Sequence, residues 1–369
     1  MMASLAHIVA NANIQRLSLI GLAKNVGKTT TTNYLLKMLL SEQLYHAEDL
    51  ALTSLGLDGE ANDALTGLPK PRYVPAAGLL IATTADLLRQ VEHDGAQIEH
   101  LMQLPGRTAL GPVVLARVLQ PGRIMLAGPT LLRDLRYTLA QFQNYGARLS
   151  IIDGAINRLG AATPAVTDAC IICTGASVGA TPELVARRTA DVFARLTTPQ
   201  TPLADVYRKF HPQARLLTFV ADGSDQVNEQ SVEMYAGSME PAVEACWIVD
   251  SMQGKQTMQH SVYFLRGAFT EELARALLAQ LPLSQAGKAA EVIVNDGTKI
   301  FCHSVVLQRL AARGLQVSVA DPIRILAMTI NPYAPEYICS PQRLLDTLVK
   351  ELSEPHLPIL DVVSGLCFP

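Results

Sequence analysis

Apolar residues in this chain fall into short dense runs separated by stretches with helical spacing. The runs at residues 17–20, 50–55, 123–126, 149–152, 169–173 and 216–220 predict strands. So do those at 246–249, 261–264, 291–294, 315–319, 325–330 and 357–362. Each is four to six residues long and mostly apolar, as a strand covered on both faces must be. Between them the period changes. Leu131, Leu132, Leu135, Leu139 and Phe142 recur at three-to-four spacing and predict a helix over 130–145. Further helices are expected at 29–40, at 182–196 after Thr181-Pro182-Glu183, at 270–281, and at 304–313 before Gly314. Strands alternating with helices imply an α/β fold with a parallel sheet flanked by helices.

The 369-residue length suggests two domains. A composition shift over 198–212 places one at 1–200 and a C-terminal α/β region at 201–369, with a sub-boundary near 285. The tail from 290 onward reads as a smaller α/β lobe. The segment 60–121, rich in Pro and Gly, predicts inserted β-structure or loops. Residues 1–10 read as a short leader into the first strand.

Chemistry enters at Gly21-Leu22-Ala23-Lys24-Asn25-Val26-Gly27-Lys28-Thr29-Thr30, between the first strand and the first long helix. A strand, a glycine-bounded loop, Gly-Lys-Thr and a helix cradle phosphate. Main-chain N–H groups of residues 24–29 and the helix N-terminus point at the anion. Lys28 neutralises charge near the β- and γ-phosphates, and Thr29 offers its hydroxyl to Mg²⁺. Lys24, Asn25, Val26, Gly27, Lys28, Thr29 and Thr30 are the expected nucleotide-binding residues. Five residues separate the glycines, one more than the strict pattern, as in dethiobiotin synthetase and cobyrinate amidase relatives.

Two acids follow later strands. Asp153 ends Leu149-Ser150-Ile151-Ile152, where such a fold places a carboxylate beside Mg²⁺. Asp58 follows the second strand, with Glu60 as alternate. It reads equally as a metal-side carboxylate and as a solvated acidic turn. Lys28, Asp58 and Asp153 form the expected catalytic set; Thr29, Asp58 and Asp153 form the expected metal set. Lys70, Arg72 and Arg158 are candidate phosphate contacts, and Arg158 reads more simply as a surface charge.

Composition narrows the classes. A net charge of −3, without any Lys/Arg-rich run, argues against nucleic-acid binding. No apolar run is long enough to span a bilayer. Six scattered cysteines suggest a reduced, cytoplasmic protein. Cys170 and Cys173 sit at i and i+3 of an expected strand, on opposite faces, and read as core residues rather than zinc ligands. Ser177, in Gly175-Ala-Ser-Val-Gly179, reads as part of a glycine-rich turn rather than a nucleophile.

The segments 21–30, 52–60, 126–129, 152–158 and 329–332 occur in this order. Together they resemble a P-loop family of reactivase subunits for lysine 5,6-aminomutase and related ornithine aminomutases. The likeness runs from about residue 16 to 361. It implies an ATP- and Mg²⁺-dependent ATPase that maintains an adenosylcobalamin enzyme, with a client aminomutase and a MutS-like subunit as partners. Leu57 stands where that pattern has a polar or aromatic residue. The alternatives are an ATP-dependent ligase or kinase of the dethiobiotin synthetase type, and a nucleotide-binding assembly module. A homodimer is common among related folds.

Overall fold

The structure, a computed structural model, describes residues 4–56, 72–154, 159–210, 216–221, 233–235, 245, 248–249, 260–281, 290–334, 338–352 and 357–368. In chain order the elements are α1 (Leu5–Asn11), β1 (Arg16–Gly21), α2 (Lys28–Ser41), β2 (Leu50–Leu55), β3 (Leu80–Thr84) and α3 (Ala85–His93). Next come β4 (Gln97–Thr108), β5 (Gly111–Gln120), α4 (Leu132–Asn144), β6 (Leu149–Gly154), β7 (Ala169–Gly175) and α5 (Pro182–Leu196). They are followed by α6 (Ala204–Phe210), β8 (Leu216–Ala221), β9 (Glu233–Tyr235), β10 (His260–Leu265), β11 (Phe269–Thr270) and α7 (Glu271–Gln280). The remainder is β12 (Ala290–Val294), β13 (Ile300–Phe301), α8 (Ser304–Ala311), β14 (Leu315–Val319), β15 (Ile325–Asn331), α9 (Pro341–Leu352), β16 (Ile359–Leu360) and β17 (Cys367–Phe368).

The fold is α/β. The chain divides into Met1–Ala190 with Arg324–Pro369, and Asp191–Ile323. In the first unit the strands form one sheet in the order β17-β16-β15-β7-β1-β6-β2-β3-β5-β4. From β16 to β3 every neighbouring pair is parallel; β17, β5 and β4 join antiparallel at the edges. Every residue of β2, β6 and β7 is buried. Helices on both faces of a parallel sheet require such unbroken burial. β1 is central and pairs with both β6 and β7, so the two strands carrying Asp153 and Cys173 flank it.

The second unit has its own sheet, β14-β12-β10-β8-β9. Alternate residues of its central strands face opposite sides, and both sides are buried. Tyr263, Leu265, Val292 and Val294 pack with Leu273, Leu277 and Leu310 of α7 and α8. Val262, Phe264 and Ile293 face the other way, onto Leu203 and Tyr207 of the α6 side. Tyr207 meets Phe264 edge to face, with ring centres 5.2 Å apart.

Several expectations are corrected. The boundary near 200 and the lobe from 290 onward give way to an insertion. Residues 315–319 belong to the second unit, but β15 returns to the main sheet, with Met328 beside Ile172 of β7. Ala327 and Met328 are fully buried there, which a terminal lobe would not explain. The leader is helix α1, capped by the Ser4 hydroxyl, with Leu5, Ala6 and Val9 buried. Residues 245, 248 and 249 of the expected strand 246–249 region are helical. At 123–126 only Ile124 bridges, to Tyr73. Beyond β16, Asp361 turns the chain by accepting from the Val363 N–H. Within 60–121 the described residues form β3, α3 and the β4–β5 hairpin.

Gly175, at the end of β7, has an extended backbone that any residue adopts, yet a Cβ there would lie 2.1 Å from the Asn331 carbonyl oxygen of β15. Gly175→Ala should therefore pry β15 from β7 and lower stability by about 1–3 kcal/mol or more. Gly160→Ala, where nothing lies within 4 Å, should stay within about 0.5 kcal/mol. Urea denaturation midpoints of the two variants provide the comparison.

Candidate functional site

The end of β1, the loop 22–27 and the start of α2 lie over the carboxyl ends of β6, β7 and β15. The loop turns through two left-handed residues, Asn25 (φ 59°) and Gly27 (φ 85°). Gly27 is the N-cap of α2 and provides no side-chain cap. The first turn of a helix leaves N–H groups without intrahelical partners. With the helix dipole they favour an anion at this position. The loop is held from below by the Leu22 N–H, which bonds to the Cys173 carbonyl at 3.1 Å. Val26 is 2% exposed and anchors the turn in the core.

Lys28 begins α2 and folds back beneath the loop. Its ammonium lies 3.0 Å from Asp153 Oδ1 and donates to the Gly154 carbonyl. Both side chains are nearly dry, at 7% and 4% exposure. Pairing in β1–β6 register makes this possible, since Leu19 lies beside Asp153. The first loop glycine has a steric reason as well: a Cβ on Gly21 would sit 2.8 Å from Lys28 Cδ.

Sequence reasoning missed Tyr73. Its hydroxyl donates to Asp153 Oδ2 and accepts from the Thr29 hydroxyl at 3.4 Å. Thr29, Tyr73, Asp153 and Lys28 thus form one connected polar group. Tyr73 is held extended by its bridge to Ile124 and by Asn33 of α2, which bonds the Arg72 carbonyl and the Val74 N–H. The signal available was Tyr73-Val74-Pro75, where Val74, the residue before proline, is biased to extended backbone next to the tyrosine.

Asn331 is the second addition. Its amide donates to the Asn25 carbonyl at 2.6 Å, and its Cβ is 3.4 Å from where a Cβ on Gly27 would be. One turn below, the Thr31 and Thr329 hydroxyls bond at 3.1 Å. β15 therefore braces the loop from the side opposite β6.

Of the other expected residues, Lys24 is half-buried in the loop, while Asn25 and Thr30 are exposed. Asp58, Glu60, Lys70 and Arg158 lie outside the described residues. Arg72 is described but is directed to Asp94, 3.7 Å away, rather than to the loop. Cys170 and Cys173 are fully buried in β7. Burial pushes their thiols up to about 12 and about 11 respectively, which leaves them protonated and inert. Ser177 lies in a short turn after Gly175, as the turn reading expects.

Among the described residues no group of three or more His, Cys, Asp or Glu is placed to hold a metal ion. A hard cation would have Thr29 and Asp153 as its protein oxygens, with the remaining positions filled by water and phosphate oxygens, which suits Mg²⁺. No protein-family model matches the chain, and a comparison with curated proteins finds no matching relative.

Tyr73→Phe removes a hydrogen bond to a buried carboxylate. It should cost about 1.5–3 kcal/mol in urea denaturation while leaving the far-ultraviolet circular dichroism unchanged. In the folded protein at mildly alkaline pH, a thiol reagent should leave Cys170 and Cys173 unmodified until denaturant is added.

Proposed function

We propose that the chain binds ATP with Mg²⁺ at the loop 21–30 and hydrolyses it. The observation that carries this reading is the Lys28 ammonium, held at the foot of an uncapped helix N-terminus beside the Asp153 carboxylate. An arriving triphosphate offers Lys28 a stronger partner than the Gly154 carbonyl. Asp153, relieved of part of that pairing, then faces the Thr29 hydroxyl across the space spanned by Tyr73. Catalysis at such a site rests on positioning and charge stabilisation, not on a covalent intermediate. The bound Mg²⁺ would supply charge neutralisation between the phosphates.

The biological role proposed with it is maintenance of an adenosylcobalamin-dependent aminomutase, in concert with a client enzyme and a MutS-like subunit. That part is supported by the ordered resemblance of segments 21–30, 52–60, 126–129, 152–158 and 329–332. Coupling between nucleotide and client would pass through the residues bonded to the loop, namely Tyr73 and Asn331.

Titration of labelled ATP with magnesium tests the binding step. Lys28→Ala should weaken affinity at least about tenfold, in line with the loss of one charge-assisted contact. Because that change strands a buried carboxylate, Thr29→Val provides the second arm. It keeps the shape of the side chain and should remove the magnesium dependence of binding. Unaltered affinity in the folded Lys28→Ala protein together with intact magnesium dependence in Thr29→Val would overturn the reading. Phosphate release that needs the aminomutase supports the client role, whereas release that needs only a small carboxylic acid supports the ligase.

A further inference from the structure

Away from the loop, the first unit contains an open pocket of about 470 Å³ lined by α3, Arg72, Arg123 and Met125. That volume is within the range of small-molecule sites. Its floor is apolar: Leu87 and Val91, one turn apart on α3, are each 4% exposed, and Met125 lies beside them. Its rim is cationic, with Arg72, Arg89 and Arg123 all facing the same space.

The three guanidinium groups are not equivalent. Arg89 is paired with Asp86 one turn away, and Arg72 lies 3.7 Å from Asp94. Arg123 makes no ion pair among the described residues. Asp94 is the acid of the lining, and it already faces Arg72 and His93. The cavity therefore keeps about one uncompensated positive charge above an apolar floor.

We propose that this cavity binds a small molecule carrying one carboxylate on an apolar body, with Arg123 as its anchor. A planar guanidinium matches a carboxylate through two parallel hydrogen bonds, and the single unmatched charge suits a monoanion better than a phosphate dianion. Met125, half-buried, with Leu87 and Val91 beneath it, meets the apolar part. The site stands apart from the nucleotide reading and does not depend on it. The two are nonetheless neighbours through one peptide unit. In an extended segment successive side chains point to opposite sides, so Arg72 lines the cavity while Tyr73 reaches Asp153.

Equilibrium dialysis of labelled octanoate against the full chain at physiological salt tests this. One saturable site is expected, from which octanol and octylamine compete at least about tenfold less well than octanoate, the charge-assisted contact being worth roughly that factor. Arg123→Gln, an exposed substitution that leaves the fold intact by circular dichroism, should weaken octanoate at least about tenfold. Arg187→Gln removes the same charge from the exposed face of α5 and should leave binding within about twofold. Wild-type affinity in Arg123→Gln, equal loss in both variants, equal competition by octylamine, or no saturable binding would each overturn the proposal.

Discussion

The ion pair between Lys28 and Asp153 is the constraint around which the first unit is arranged. Two opposite charges 3.0 Å apart, both nearly excluded from water, cost several kcal/mol each in desolvation and recover it only by staying together. That requirement ties the start of α2 to the end of β6 across the central strand. It also dictates neighbours. Gly21 has to lack a Cβ because the Lys28 methylenes run where it would be. The Gly154 carbonyl takes another ammonium proton, and the Tyr73 hydroxyl takes the other carboxylate oxygen. A charged pair is thereby surrounded by enough hydrogen bonds to be tolerable in the interior.

The loop 22–27 itself is held by elements far apart in sequence. Cys173 of β7 bonds its first residue, and Asn331 of β15 bonds its middle. Such bracing fixes the path of the loop and the direction of its main-chain N–H groups from both sides. The left-handed Asn25 and Gly27 are tolerable for different reasons. Asparagine reaches that region more readily than most residues, and glycine has no side chain to clash.

The parallel sheet and the loop–helix junction were legible because their signals are local. β6 and β7 are unbroken apolar runs of the length a buried strand needs, and the Gly-Lys-Thr run marks one position along the chain. The insertion was not legible. β15 looks like any buried strand, and nothing in Ile325–Asn331 records that its partner is Ala169–Gly175 rather than its sequence neighbour Leu315–Val319. Ile248 and Val249, helical rather than extended, show the ambiguity of a short apolar run, which suits a helix as well as a strand. Tyr73 was hidden because its role comes from a long-range approach to Asp153, eighty residues away. The segment 329–332 belongs to the resemblance, but the contact of Asn331 with Asn25 spans more than three hundred residues.

The position of β15 sets an order of assembly during synthesis. β1, β6, β2 and β3 can associate once the ribosome has passed residue 154, and β7 joins shortly afterwards. The open edge of β7 must then wait while the whole of Asp191–Ile323 is made before β15 arrives to cover it. An uncovered apolar strand edge is a template for wrong partners, and closing so long a loop is slow. The nascent chain is therefore most exposed to misassociation in that interval. The insertion has its own five-stranded sheet and apolar core, and compaction of those residues as a unit would bring the ends of the loop together before the last central strand docks.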